Sequence, residues 1–217
     1  MNAQRRIVVL ISGRGSNLGA LLEARLPLQV VAVISHKADA AGLGLAQEWG
    51  IPTRVISAEA YAERTDFDRA LQQAIDGFAP DLVVLAGFMR ILTPEFVTHY
   101  QGRLLNIHPS LLPAFPGLHT HRRALAEGVA VHGCTVHFVT SELDRGPIVA
   151  QGVVPVWAGD DEASLAARVL SMEHRLFPHV LRAWVESRWV LEANGHVRWR
   201  DDSQEQNLRL LWAGDSQ

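Results

Sequence analysis

Residues 6–107 alternate between short, largely β-branched apolar runs and longer segments with helical spacing, a pattern that few folds can accommodate. The apolar runs predict strands at residues 6–11, 30–35, 53–56, 82–86 and 103–107. The segments between them predict helices at residues 16–25, 40–49, 65–78 and 94–100. Elements in this order form a parallel sheet with helices on both faces, and right-handed crossovers make the sheet doubly wound. The sequence therefore predicts an α/β fold with a doubly wound, mostly parallel sheet.

The pattern changes after residue 107. Pro109, Pro113 and Pro116 predict an irregular but ordered loop, because proline fixes φ and breaks regular elements. Beyond this loop the sequence predicts a helix at residues 120–127, apolar strands at 131–139 and 148–156, and a helix from 161 to about 187 with Asp160 as its cap.

The chain after Trp189 is predicted to lie outside the main domain. Asn194 and Gly195 predict the turn of a short hairpin, and the polar end that follows is expected to be loosely held. We therefore expect a single domain over residues 1–188, with the hairpin and the tail in residues 189–217.

Composition excludes several classes of protein. The 217 residues are 48% hydrophobic and 20% charged, which excludes a disordered chain, and no apolar run approaches the roughly 18 residues of a membrane helix. The net charge of −3 gives no basic field for a nucleic acid, and Cys134, the single cysteine, excludes an internal disulfide. The first residues do not resemble a signal peptide, so we expect a cytoplasmic protein with neither nucleic acid nor membrane as partner.

The motif SGRGSN joins the first predicted strand to the first predicted helix. The backbone amides of Gly15, Ser16 and Asn17 would lie at the positive end of that helix, where anions bind. No Gly-Lys-Ser/Thr ends the motif, its glycines miss the GxGxxG spacing by one residue, and the second strand ends without the carboxylate of dinucleotide-binding proteins. The motif predicts a site for a phosphate monoester; the alternative is a tight turn that binds nothing.

Asn106 and His108 form the second candidate site. Period-2 alternation puts them on one face at the carboxyl end of a strand, the end where open α/β sheets bind ligands. An amide and an imidazole there can stabilise a carbonyl oxygen that gains negative charge, and the histidine can also transfer a proton. The alternative is a histidine that only satisfies loop carbonyls.

The remaining candidates carry less information. Residues 141–147 form a polar turn, and nothing in the stretch itself distinguishes Asp144 from Glu142. Cys134 lies in an apolar run and is predicted to be a buried, inert thiol. Four histidines raise the possibility of a metal site, but their spacing leaves a coordination shell incomplete, so we expect no metal. These are His119, His121, His132 and His137.

The motifs SGRGSN, LAGFMRIL, LLNIHPSLLPAFPG, HGCTVHFV and LDRGP occur in an order and spacing that resemble the phosphoribosylglycinamide formyltransferase family over roughly residues 6–185. The resemblance implies a formyltransferase fold with a Rossmann-like first half. It also implies transfer of a formyl group from 10-formyltetrahydrofolate to the primary amine of phosphoribosylglycinamide, in purine biosynthesis, without a metal or a nicotinamide cofactor. The first half, to about residue 100, would bind phosphate, and the second half would bind folate and carry the catalysis.

The resemblance also implies roles for individual residues. The catalytic residues would be Asn106, His108 and Asp144. The substrate would contact Gly15, Ser16, Asn17 and Glu173. The folate would contact Arg64, Met89, Arg90, Ile91, Leu92, Asn106, Thr140, Ser141, Glu142, Leu143 and Asp144.

Three alternative interpretations each account for part of these motifs. Formyltetrahydrofolate deformylase uses water as the acceptor but carries an additional domain before the first strand, and methionyl-tRNA formyltransferase carries a separate carboxyl-terminal domain. The length of this chain leads us to expect neither additional domain. A non-catalytic sugar-phosphate-binding module explains the glycine-rich turn but gives Asn106 and His108 no role. A monomer and a homodimer both remain compatible with the sequence.

Overall fold

The structure, a computed structural model, describes residues 4–200 and 209–213. It contains two compact units. Of the described residues, the first unit comprises 4–106 and 139–141, and the second comprises 107–138, 142–200 and 209–213.

The first unit carries parallel strands in the order β5-β4-β1-β2-β3. The strands are β1 (Arg5–Ile11), β2 (Leu28–Ser35), β3 (Thr53–Val55), β4 (Leu82–Leu85) and β5 (Leu104–His108), whose last two residues belong to the second unit. The helices are α1 (Ser16–Glu23), α2 (Ala41–Glu48), α3 (Arg64–Asp76) and α4 (Pro94–His99), and a short 3-10 helix spans Ala58–Ala60.

The core of the first unit forms where helices α3 and α4 pack against the strands. Phe67, Phe96 and Tyr100 are almost completely buried there, and the rings of Phe96 and Tyr100 lie 4.8 Å apart. Burial of one such side chain contributes about 1.5 to 3 kcal/mol to stability. Because β1 packs into the same core, the end of β1 that leads into the glycine-rich turn is held in a fixed position.

The second unit contains an antiparallel pair and a long helix. Its helices are α5 (Thr120–Glu127) and α6 (Glu162–Val185), and its strands are β6 (Val131–Phe138), β7 (Ile148–Pro155), β8 (Trp189–Leu191), β9 (Val197–Trp199) and β10 (Leu210–Trp212). Strands β6 and β7 pair antiparallel, and β8 and β9 form a separate antiparallel hairpin with Asn194 and Gly195 in its turn. The indole of Trp199 donates to the carbonyl of Val149 at 2.8 Å, which ties this hairpin to β7.

Two predictions about this half are wrong in detail. The cap of α6 is Asp161, which forms a capping box with Ser164, whereas Asp160 binds the guanidinium of Arg168 through both oxygens at 2.7 and 2.8 Å. The expected loose tail is wrong for residues 210–212, because these apolar residues form β10 and pair in parallel with β7. Residues 201–208 and 214–217, to which the same expectation applied, lie outside the described residues.

The predicted fold class is confirmed: the strands form a mostly parallel, eight-stranded sheet with helices around it. Strand β6 departs from the parallel direction, since it pairs antiparallel with β7. Among the described residues, no helix has the length and apolar character required to cross a membrane.

Candidate functional site

The glycine-rich turn leads directly from β1 into α1. Gly15 is the N-cap of α1 with φ of 75°, in the left-handed region that glycine adopts without strain, and it has no side chain to accept from the first helical turn. A Cβ at Gly15 would lie 2.7 Å from the Cα of Gly42, and the amide of Gly42 donates to the carbonyl of Gly13 at 3.0 Å. The start of α1 is thus held close to α2 and is suited to binding an anion.

The segment between β4 and α4 presents an apolar surface in the same unit. Met89 and Ile91 are exposed, at 69% and 62%, whereas Leu92 is buried. The guanidinium carbon of Arg90 lies 4.5 Å from the ring centroid of Phe67, a cation–π geometry that fixes its position. Arg64 is exposed at the first position of α3. Exposed apolar side chains on a loop of fixed backbone are typical of a ligand-binding surface.

Asn106 and His108 lie two residues apart on β5, at its carboxyl end, so they share one face of the strand. His108 is 6% exposed. Its Nε2 lies 3.0 Å from the carbonyl of Phe115 and its Nδ1 lies 3.5 Å from Oδ2 of Asp144. Both ring nitrogens therefore face acceptor oxygens, and a doubly protonated imidazolium can donate to both of them.

Asp144 is held beside His108 by the backbone. Its φ of 54° is left-handed, a conformation that aspartate tolerates better than most residues, and its Oδ2 accepts a hydrogen bond from the amide of Gly117 at 2.8 Å. The carboxylate is therefore fixed from both sides. The structure thereby distinguishes Asp144 from Glu142, which is exposed, a distinction that the sequence of this turn does not make.

His137 is a further neighbour of Asp144 that the sequence analysis did not place in the site. Its Nε2 lies 3.8 Å from Oδ1 of Asp144, and its Nδ1 lies 2.9 Å from the carbonyl of Phe138. Burial lowers the pKa of His137, so the ring is neutral at pH 7 and Nδ1 carries the proton that Phe138 accepts. The 3.8 Å contact is therefore not an ion pair, although it is the second imidazole at this carboxylate. The sequence signal that could have found His137 is its position on a predicted strand, where alternate residues share one face.

The proline-rich loop after β5 is anchored by one hydroxyl. Oγ1 of Thr135 donates to the carbonyl of Ser110 at 2.7 Å and accepts from the amide of Leu112 at 3.0 Å. The side-chain amide of Gln151 lies 3.1 Å from the same oxygen and donates to the carbonyl of Leu112 at 2.9 Å. The prediction of an irregular but ordered loop is confirmed.

Thr135→Val is expected to lower the free energy of unfolding by about 1 to 3 kcal/mol, because the isosteric change leaves buried partners of the hydroxyl unsatisfied. Urea unfolding measures the difference. If the slope of the unfolding free energy against urea concentration is unchanged, the substitution has altered stability and not the compactness of the unfolded state. Thr98→Val, at an exposed position of α4, is the control and should change stability by less than about 0.5 kcal/mol. A Thr135→Val protein as stable as the unmodified one would contradict this account of the loop.

Two other predicted groups lie in the second unit. Glu173, on α6, is 6% exposed and its charge contributes to raising the pKa of Cys134, after the larger effect of burial. Cys134 is completely buried, as predicted. Burial, with His121 beside it, lowers the pKa of His132 to about 4, so both rings pack as neutral groups, 5.3 Å apart. Within the described ranges, no three His, Cys, Asp or Glu side chains are placed to hold a metal ion.

The structure brings some of the predicted residues together and leaves others apart. His108 and Asp144 meet directly in the second unit. The loop 140–144 has half-buried Thr140 and exposed Ser141 in the first unit, and exposed Glu142 and Leu143 in the second. Sequence reasoning did not find the carbonyl of Phe115 or the amide of Gly117, because neither depends on the identity of a side chain.

Comparisons with known proteins agree with these observations. The formyl transferase family matches residues 5–181. Phosphoribosylglycinamide formyltransferase of Escherichia coli is 53% identical over 199 residues, which cover 90% of this chain and 93% of that protein. The human trifunctional purine biosynthetic protein adenosine-3 is 48% identical over 198 residues, which cover 89% of this chain and 20% of that protein. The solved structure of phosphoribosylglycinamide formyltransferase from Coxiella burnetii, in complex with CHES, superposes with a TM-score of 0.87 at 46% identity, over 91% of this chain and 94% of that one.

Proposed function

This chain belongs to the formyl transferase family, and we propose that Asn106, His108 and Asp144 carry out its chemistry. The reaction is transfer of the formyl group of 10-formyltetrahydrofolate to the amine of phosphoribosylglycinamide, a step of purine biosynthesis. The observation that carries the proposal is the position of Asp144 at 3.5 Å from His108, which itself shares a strand face with Asn106.

The proposed reaction begins when the amine of phosphoribosylglycinamide attacks the formyl carbon of the folate. A tetrahedral intermediate forms, in which the former carbonyl oxygen bears negative charge. The side-chain amide of Asn106 and the imidazolium of His108 donate hydrogen bonds to that oxygen. Because both nitrogens of His108 already face acceptors, the ring donates to the intermediate by sharing or exchanging one of these contacts.

Asp144 has two roles in this proposal. Its carboxylate lies 3.5 Å from Nδ1 of His108 and orients the ring, and it accepts a proton from the attacking amine through water, since the amine becomes cationic when the new C–N bond forms. When the tetrahedral intermediate collapses, the C–N bond to the folate breaks and the folate nitrogen takes up a proton. His108 supplies this proton, and the products are formylated glycinamide ribonucleotide and tetrahydrofolate.

We propose that the phosphate of the substrate binds the amides of Gly15, Ser16 and Asn17. Support comes from the left-handed N-cap and from the absence of a side-chain acceptor at Gly15. Glu173 is proposed to face the glycinamide end, where a carboxylate complements an amine.

The folate is proposed to lie against two segments. Residues Met89 to Leu92 supply exposed apolar side chains and backbone groups, with Arg64 as the cation for the glutamate end of the folate. Residues 140–144 supply the second segment, of which Asp144 is also catalytic.

Gly15→Ala is expected to raise KM for phosphoribosylglycinamide by at least about 10-fold and to leave KM for the folate within about twofold. The added Cβ meets the Cα of Gly42 at 2.7 Å and occupies a left-handed position, so the amides at the start of α1 must shift. Steady-state kinetics with each substrate varied in turn measures the two constants. Gly44→Ala is the matched control, since a Cβ there meets nothing within 4 Å. Equal increases of both constants would indicate a general folding defect and contradict a specific phosphate site.

Consumption of 10-formyltetrahydrofolate with and without phosphoribosylglycinamide tests the function directly. Consumption that requires the amine and yields its formylated product is the expected result. Consumption without the amine would identify a hydrolase that uses water as acceptor. Binding of a sugar phosphate without any consumption would identify a non-catalytic module.

We also propose that the protein acts in the cytoplasm as a monomer or a homodimer. Its proposed substrates are small, water-soluble metabolites, which supports the location. Light scattering over a range of protein concentrations distinguishes the two assembly states, and fractionation of the source cells tests the compartment.

A further inference from the structure

Ser12 occupies the position between β1 and the glycine-rich turn, and it is 7% exposed. Its Oγ does not cap the turn that follows. Instead it accepts a hydrogen bond at 2.7 Å from the backbone amide of Met89, 77 residues away in the chain. One hydroxyl thus connects the residue before the proposed phosphate loop to the first residue of the proposed folate segment.

His36 completes this arrangement on the other side of the hydroxyl. Its Nδ1 lies 3.2 Å from Oγ of Ser12, and its ring packs edge-on against Phe88 with centroids 5.2 Å apart. Burial lowers the pKa of His36, with smaller contributions from the charges of Arg90 and Lys37, so the ring is neutral at pH 7. A neutral ring with its proton on Nε2 accepts at Nδ1, where it receives the proton of Ser12.

The direction of these hydrogen bonds follows from the groups involved. A backbone amide can only donate, so Oγ of Ser12 must accept from Met89 and has its single proton left for His36. The two hydrogen bonds therefore form a chain that runs from the Met89 amide through Ser12 to His36, and each bond fixes the direction of the next. Cooperative chains of this kind hold a peptide more rigidly than an isolated bond does.

The far end of the same segment is held differently. The amide of Thr93 donates to Oδ2 of Asp68 at 2.6 Å, both residues are buried, and Leu92 packs in the core. That end belongs to the start of α4 and is fixed by packing. At the near end, the Met89 side chain is 69% exposed and contributes little packing. Phe88, on the other side of this peptide, is buried, so packing holds the position of the peptide and the hydrogen bond to Ser12 directs its N–H.

We propose that Ser12 and His36 are positioning residues that orient the Met89 peptide for binding of the reduced folate. The inference rests on the proposed function, since it assigns the segment that begins at Met89 to the folate. Neither residue touches the reacting atoms; both act through the backbone of Met89.

Ser12→Ala is expected to raise KM for 10-formyltetrahydrofolate about 3- to 10-fold, the usual effect of losing one hydrogen bond. The value of kcat and KM for phosphoribosylglycinamide should stay within about twofold. Titration with tetrahydrofolate should show the same loss of affinity without turnover. Ser12→Thr, which keeps the hydroxyl, should restore most of the affinity. Thr53→Val is the matched control, because its hydroxyl lies in the same unit and contacts Gln47 instead.

The role of His36 is tested by a double-mutant cycle. His36→Ala should raise the folate KM by a smaller factor, and the double variant Ser12→Ala with His36→Ala should be little worse than Ser12→Ala alone, because both changes break one chain of hydrogen bonds. Effects that multiply would remove His36 from the arrangement. An unchanged folate KM in Ser12→Ala, or equal increases of KM for both substrates, would overturn the inference. Failure of the proposed function looks different, since the unmodified protein would then show no amine-dependent formyl transfer.

Discussion

Asn106→Ala is expected to lower kcat by about 100- to 1,000-fold, which corresponds to about 2.7 to 4 kcal/mol of transition-state stabilisation lost with one preorganised donor. The amide lies on a rigid strand whose neighbours are buried, so it needs no reorganisation when charge develops on the formyl oxygen. KM for both substrates should change much less than kcat, because the oxygen is neutral in the ground state and the lost interaction strengthens only as the intermediate forms.

A second substitution tests whether Asn106 acts as a hydrogen-bond donor or only through its size and shape. Asn106→Asp preserves shape but replaces the donating NH2 with an anionic oxygen, which repels the developing oxyanion, so its kcat should be at least as low as that of Asn106→Ala. Asn194→Ala, in the exposed turn of the hairpin, is the control and should keep full activity. Thermal unfolding of all three proteins confirms that they are folded. A turnover near that of the unmodified protein for Asn106→Ala would remove Asn106 from the mechanism.

Most of the first unit could be predicted from the sequence, and the physical reason is local. Buried parallel strands consist of continuous apolar residues, so predicted residues 6–11 and 82–86 lie within one residue of the observed Arg5–Ile11 and Leu82–Leu85. The glycine-rich turn between β1 and α1 could also be predicted, and its glycines suit the left-handed conformation that the structure shows at Gly15. In such segments the local pattern of residue types indicates the structural element.

The rest depended on which groups meet in the folded chain. Asp160 and Asp161 are both suitable helix caps in sequence, and Asp161 takes this role through its capping box with Ser164, while Arg168 of the same helix engages Asp160. Asp144 and Glu142 are equally polar in sequence, and only Asp144 meets the amide of Gly117 and the ring of His108. For Asp144 the deciding groups come from other parts of the chain, and no local pattern encodes them. The family resemblance supplied the choice of Asp144 where local physical reasoning could not.

Asp144→Asn should leave the loop in place while removing its charge. In the unmodified protein the amide of Gly117 donates to the carboxylate at 2.8 Å. The side-chain oxygen of asparagine can accept the same hydrogen bond, so little stability should be lost. The catalytic effect should be large, about 100- to 10,000-fold in kcat, because both the contact of the carboxylate with the ring of His108 and the acceptor for the amine proton disappear.

A double-mutant cycle with His108 distinguishes these two roles of Asp144. If the carboxylate acts through the ring of His108, which lies 3.5 Å away, Asp144→Asn combined with His108→Ala should be little slower than His108→Ala alone. If Asp144 acts as the acceptor of the amine proton, its loss should lower kcat by a similar factor whether or not His108 is present. Asp66→Asn, which breaks an exposed pair with Arg69, is the control and should leave kcat unchanged. A full kcat in Asp144→Asn would exclude the carboxylate from the mechanism and leave its contact with His108 a structural one.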